Sequence, residues 1–142
     1  MEAKQLAIAL ARGRIALGAA AIAAPGAAGR LMFGREGSAG GARALARMVG
    51  GRDVALGLGV VIALDRGAPV RGWLEAGALA DGVDLLASVL GRGAMRRSAY
   101  LNTVALAGGA ALAGVWLSRQ LDPPPPATPG QPEAIVTGHP EE

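Results

Sequence analysis

The chain has no cysteine among its 142 residues. Disulfide frameworks, thiolate metal sites and cysteine nucleophiles are therefore excluded. It has one histidine, His139, so a multi-histidine metal centre is excluded as well. Aromatic residues make up only 3%, with two Trp, one Tyr and one Phe. A soluble core normally draws on such large side chains, so an ordinary aqueous core is poorly supplied here. Lysine is nearly missing too: Lys4 is the single one, and arginine supplies the rest of the fourteen basic residues.

What is present is small and apolar. Hydrophobic residues reach 51%, with alanine the largest share, beside 23 glycines. Small side chains let helices approach backbone to backbone in lipid. The rival reading, a soluble alanine-rich bundle, calls for more charge on its outer faces than this chain carries. The formal charge is +3, but the arginines gather at the ends of apolar runs. That placement is membrane-flanking charge rather than a nucleic-acid surface. The length allows one domain.

A bilayer core of about 30 Å takes ~20 helical residues. Four stretches approach this and predict an all-α, four-helix transmembrane domain over residues 1–121, with spans near 5–25, 42–65, 69–90 and 98–118. The last is the cleanest: Ser98 to Ser118 is uncharged and flanked by Arg96, Arg97 and Arg119. Tyr100 and Trp116 sit toward its ends, as an aromatic belt would, and Ala105, Gly109 and Ala113 form a small-xxx-small face for helix contact. The third span opens after Pro69, a residue suited to a helix start, but carries Glu75, Asp81 and Asp84. The second reaches membrane length only by taking in Arg52 and Asp53, with a kink expected at Gly50-Gly51. The first runs from about Ala3 with Arg12 and Arg14 turned inward. It also imitates a signal peptide, although a chain with further spans needs no separate leader. A glycine-rich loop is expected from Arg30 to Gly41. Residues 122–142, with four consecutive prolines, predict a disordered tail. Docking of that tail on a proline-recognition domain is the rival to plain solvation.

The two sides of such a bundle share the basic residues almost evenly. Lys4, Arg12, Arg14, Arg66, Arg71 and Arg119 lie on one side; Arg30, Arg35, Arg43, Arg47, Arg92, Arg96 and Arg97 lie on the other. A count of basic residues leaves the orientation open.

Charge in the spans is the informative feature. With the second and third spans as an antiparallel hairpin about Gly67, Arg52, Asp53, Asp81 and Asp84 fall at nearly one depth, about 21–25 Å from the turn. Asp81 and Asp84, three apart, share a face, and Arg52 is the matching cation for a bidentate pair. Each lone charge at a helix centre costs roughly 2.5–3.5 kcal/mol on insertion scales, so these groups are expected to pair. Two readings stay open: a structural clamp that fixes helix register, or a functional site using Asp81 and Asp84. Arg14, Asn102 and Thr103 are candidate supporting polar groups, with Asn102 and Thr103 near the depth of Asp84. Glu75 lies about one turn inside and is expected to be solvated.

Gly51-Arg52-Asp53-Val54-Ala55-Leu56-Gly57, followed by an apolar run and the Asp81-x-x-Asp84 pair, resembles a domain-of-unknown-function family of small four-span bacterial membrane proteins, frequent in actinobacteria and broadly DoxX-like. Arg14 with Gly18 and Pro25, and Phe33-Gly34, fit its opening pattern. The resemblance covers roughly Arg12 to Leu117. It implies the four-span fold and no reaction. The expectation is a multi-pass protein of the cell membrane, non-enzymatic, without cofactor, metal or nucleic acid, acting as an accessory or assembly subunit. Its partners would be the lipid bilayer and a second copy or a membrane complex. The alternative is a small proton-coupled carrier using the intramembrane carboxylates. A membrane enzyme is the weakest reading, since Ser88 and Ser98 have no visible base.

Overall fold

The computed structural model describes residues 2–122, and these are all-helical, with no strand. The tail expected over 122–142 lies outside the described residues except for Asp122. Helix α1 spans Ala3–Ala23, α2 Pro25–Phe33, α3 Gly40–Asp65, α4 Arg71–Leu90 and α5 Arg97–Leu121. Short 3₁₀ turns, Gly34–Ser38 and Arg92–Ala94, join α2 to α3 and α4 to α5. Helices α1 and α5, of 21 and 25 residues, are long and apolar enough to cross a membrane. Helices α3 and α4, of 26 and 20 residues, are comparably long but carry the charges already named.

The four long helices form two antiparallel pairs, α1 with α3 and α4 with α5. Close approach in the first pair requires glycine. A Cβ on Gly18 would lie 2.5 Å from the Gly50 carbonyl oxygen, and one on Gly57 would lie 2.7 Å from that of Ala11. These contacts mirror each other about a local two-fold axis. Ile15-Ala16-Leu17-Gly18 of α1 matches Val54-Ala55-Leu56-Gly57 of α3 at a constant offset. Gly18 meets Gly50 and Val54, while Gly57 meets Ala11 and Ile15, the residues that correspond to them. In the second pair Gly114 of α5 lets α4 come near, and its Cβ would stand 3.1 Å from the Leu74 carbonyl oxygen.

The two pairs close on each other at one end, where Ala7, Ala11, Val60, Ala63, Val70, Leu74 and Leu117 form the apolar core. The chain also closes this end by hydrogen bonding. The Asp122 carboxylate, just past α5, accepts the backbone N–H groups of Val70 at 2.5 Å and Arg71 at 2.6 Å, serving donors at the start of α4 that have no partner within the helix. Proline therefore does not open α4: the helix begins two residues beyond Pro69, under an acidic cap supplied from α5. The turn before it uses Gly67, whose φ of 62° favours glycine.

Three other expectations are corrected. The loop from Arg30 to Gly41 is largely helical, because Pro25 opens α2 at its first position and Gly29 packs directly on Gly37 to fold the segment back. Helix α3 begins at Gly40 rather than Ala42 and continues as one helix through Gly50-Gly51. The small-residue face of α5 is a different one: Ala105 and Gly109 are exposed, while Ala99, Ala107, Gly114, Leu117 and Ser118 are buried. Both faces carry small residues, and the geometry of the hairpin selects the second.

Candidate functional site: a charge ladder across the seam

Heptad-like spacing puts charge on the inward stripes. On α1 the inward positions run Ala7, Ala11, Arg14, Gly18, at steps of four, three and four. On α4 they run Leu74, Gly77, Ala78, Asp81 and Ser88. Arg14 and Asp81 therefore stand in stripes that otherwise bury small or apolar residues. Asp81 is 7% exposed.

The side chains join in one chain, Asp84–Arg52–Asp53–Arg14–Asp81. Arg14 donates through Nη2 to Asp81 Oδ2 at 2.5 Å and through Nη1 to Asp53 Oδ1 at 3.1 Å. Arg52 grips Asp84 with both ends of its fork, Nη1 to Oδ1 at 3.0 Å and Nη2 to Oδ2 at 2.6 Å. The planar guanidinium matches a carboxylate in this way, which a lysine could not do. Arg52 also donates to Asp53 Oδ1, from Nη2 at 3.2 Å and Nε at 3.4 Å. Asp53 is thus shared by both arginines. Gly77 makes room for the arrangement: Arg14 Nη2 lies 3.5 Å from its carbonyl oxygen, and a Cβ there would press on the guanidinium at 3.3 Å.

The ladder connects the two helix pairs. Arg14, Arg52 and Asp53 belong to the α1/α3 pair, while Asp81 and Asp84 belong to α4. Its two rungs differ in depth. The Arg14–Asp81 side chains are 11% and 10% exposed, and those of Arg52–Asp84 are 32% and 33% exposed. Fully ionised, two guanidiniums face three carboxylates, leaving one negative charge in excess. Among the described residues, every buried side-chain nitrogen or oxygen has a hydrogen-bond partner.

The structure thus brings together Arg52, Asp53, Asp81 and Asp84, with Arg14 as a fifth member. It leaves out the other candidates. Asn102 is exposed, and the Thr103 hydroxyl donates to Met32 Sδ at 3.7 Å instead of approaching Asp84. Arg12 is exposed and does not turn inward, being two residues and therefore about 200° around the helix from Arg14. Glu75 is exposed and accepts from Arg71 Nε at 2.7 Å within α4.

Beside Arg14 the bundle encloses a cavity of only about 10 Å³, lined by Leu10, Leu56, Trp73, Leu74 and Gly114 among others. That is room for about one water. Among the described residues no group of three His, Cys, Asp or Glu side chains is placed to hold a metal ion. No family model, curated protein or solved structure matches the chain.

Proposed function

We propose that the chain is a multi-pass protein of the cell membrane in which α1, α3, α4 and α5 each cross the bilayer. In this reading it acts as a non-enzymatic accessory or assembly subunit whose helix pairs are locked by the Arg–Asp ladder. The observation that carries it is an inverted distribution of side-chain size. The interior is mostly Ala, Gly and Val, with Leu74 and Leu117 the buried leucines, while large apolar residues point outward from all four long helices: Leu17, Leu58, Leu79, Leu86, Leu106 and Leu112 are all exposed. In water such a surface would aggregate. In lipid it is the solvated face, and small residues inside allow close helix contact. The ladder then lowers the main obstacle to inserting α3 and α4, since paired and hydrogen-bonded charges meet a smaller penalty than lone ones.

Extraction tests the membrane assignment. The full chain is expected to stay in the membrane fraction through an alkaline wash and to leave it only with detergent. Release by alkaline wash would sink the assignment.

A second reading, a proton-coupled carrier, is favoured by one specific feature, the surplus carboxylate. A group that is ionised or protonated at a two-pair seam is the raw material of a relay. Proton flux into vesicles separates the readings. An Asp81→Asn variant that folds yet abolishes a wild-type flux supports the carrier; no wild-type flux above empty vesicles supports the locked subunit.

A further inference from the structure

The two ends of the bundle differ in charge in a way that neither the ladder nor the spans require. The end that carries α2 holds Arg30, Arg35, Arg43, Arg47, Arg92, Arg96 and Arg97, all exposed, against the single acid Glu36. None of the seven makes an ion pair among the described residues. The opposite end is nearly balanced, with Lys4, Arg12, Arg66, Arg71 and Arg119 against Glu2, Asp65, Glu75 and Asp122. The Cδ of Arg43 and the Nη1 of Arg30 both converge on the space over Gly26, at 3.5 and 3.8 Å from where a Cβ would stand. Seven exposed, unpaired arginines against one acid leave a positive field at this end that attracts an anion.

Helix α2 adds an apolar element at the same level. Leu31 is 67% exposed and Phe33 43% exposed, beside Arg30 and Arg35. The segment is held in place rather than free: the Arg96 backbone N–H donates to the Met32 carbonyl oxygen at 3.1 Å, Thr103 donates to Met32 Sδ, and Gly29 packs on Gly37. A short braced helix that shows both arginines and large apolar side chains has the composition of an interfacial anchor.

We propose that the α2 end is a docking surface for anionic phospholipid headgroups, with the arginines ringing the phosphates and Leu31 and Phe33 entering the acyl region. Charge complementarity selects this occupant, because a basic cluster at the ends of spans lies where anionic lipid phosphates lie. The inference rests on the membrane reading above.

The test uses the full chain in nanodiscs of equal phosphatidylcholine and phosphatidylglycerol, with retained lipid counted by native mass spectrometry after release. The wild type is expected to retain phosphatidylglycerol over phosphatidylcholine by about fivefold or more. A variant with Arg30, Arg92, Arg96 and Arg97 changed to Gln should lose that preference. A control with Lys4, Arg66 and Arg119 changed to Gln should keep it. Added salt should weaken the preference. Equal retention of the two lipids, or equal loss in both variants, would overturn the proposal while leaving the membrane reading intact. Retention of a short single-stranded oligonucleotide in place of phosphatidylglycerol would overturn it as well. Failure of the wild type to enter the nanodisc at all would overturn both readings.

Discussion

The contacts within each helix pair and the contacts between the pairs are built from different chemistry. Within α1/α3, helix backbones touch through Gly18, Gly50 and Gly57, where the energy is mostly dispersion spread over many small contacts, with the Arg14–Asp53 ion pair as a polar link. Between the pairs, the closed end has an apolar cluster, but the middle of the seam is held by a few strong directional ion pairs. The difference bears on specificity. Glycine contacts allow helices to pack at several registers, since small residues recur along each helix. Arg14 and Arg52 accept only the register that sets Asp81 and Asp84 opposite them. The pairs supply proximity, and the seam supplies the choice among arrangements.

The largest effect should come from the buried rung. Arg14→Leu leaves Asp53 with one cation and Asp81 with none, and removing one partner of a buried pair costs about 3–5 kcal/mol. The expected result is loss of accumulation, or a strongly lowered unfolding midpoint in detergent. Arg52→Leu should cost less, because its rung is a third exposed and so less enclosed by the protein than the Arg14 rung. Equal losses in the two variants would erase the distinction between the rungs.

The next effect tests the other kind of contact. Gly18→Val forces atoms into the Gly50 carbonyl and should cost ~1–3 kcal/mol through overpacking. Its signature differs from that of Arg14→Leu, since no charge is orphaned. Thermal unfolding of the α1/α3 interface should therefore be lowered without a change in salt dependence.

Asp122→Ala removes the cap that α5 supplies to α4. An expected loss of ~0.5–2 kcal/mol follows from two orphaned N–H groups at a helix start. Hydrogen exchange should quicken at Val70 and Arg71 and not at the ladder. The smallest effect should be at Gly109, which faces open space. Gly109→Ala should be neutral or gain up to ~1 kcal/mol from helix propensity, whereas Gly114→Ala, pressed on Leu74, should lose stability. A loss at Gly109 would show that this face is covered by a partner.

Much of this arrangement is visible in the sequence. Counting residues outward from Gly67 sets Arg52 at nearly the depth of both Asp81 and Asp84, because two antiparallel helices rise equally per residue, and the count does not choose between them. The membrane-length pattern likewise marks the four long helices to within a few residues. Arg14 is harder to place because two arginines lie close together in α1, and only the 7, 11, 14, 18 stripe separates the inward one from Arg12. The matching of Ile15–Gly18 to Val54–Gly57 is a second signal, since it aligns Arg14 with Asp53, its ion-pair partner. Helix α2 is hidden by its glycines, and the signal that outweighs them is Pro25 at the first helical position. The packing face of α5 is not legible at all, because Ala105-Gly109-Ala113 and Ala107-Gly114 satisfy the same small-residue rule. The cap from Asp122 depends on where α5 ends in space, which no local pattern encodes.

If specific charge partners hold the seam, exchanging their charges should move stability with the partner chosen. Unfolding midpoints would be compared in one detergent for the wild type, Arg52→Asp, Arg52→Asp with Asp84→Arg, and Arg52→Asp with Asp81→Arg. The single variant should fall well below the wild type. The exchange with Asp84 should recover most of the loss, and the exchange with Asp81 should recover none, because Asp81 belongs to Arg14. A wild-type midpoint for Arg52→Asp, or equal rescue by both exchanges, would contradict the account.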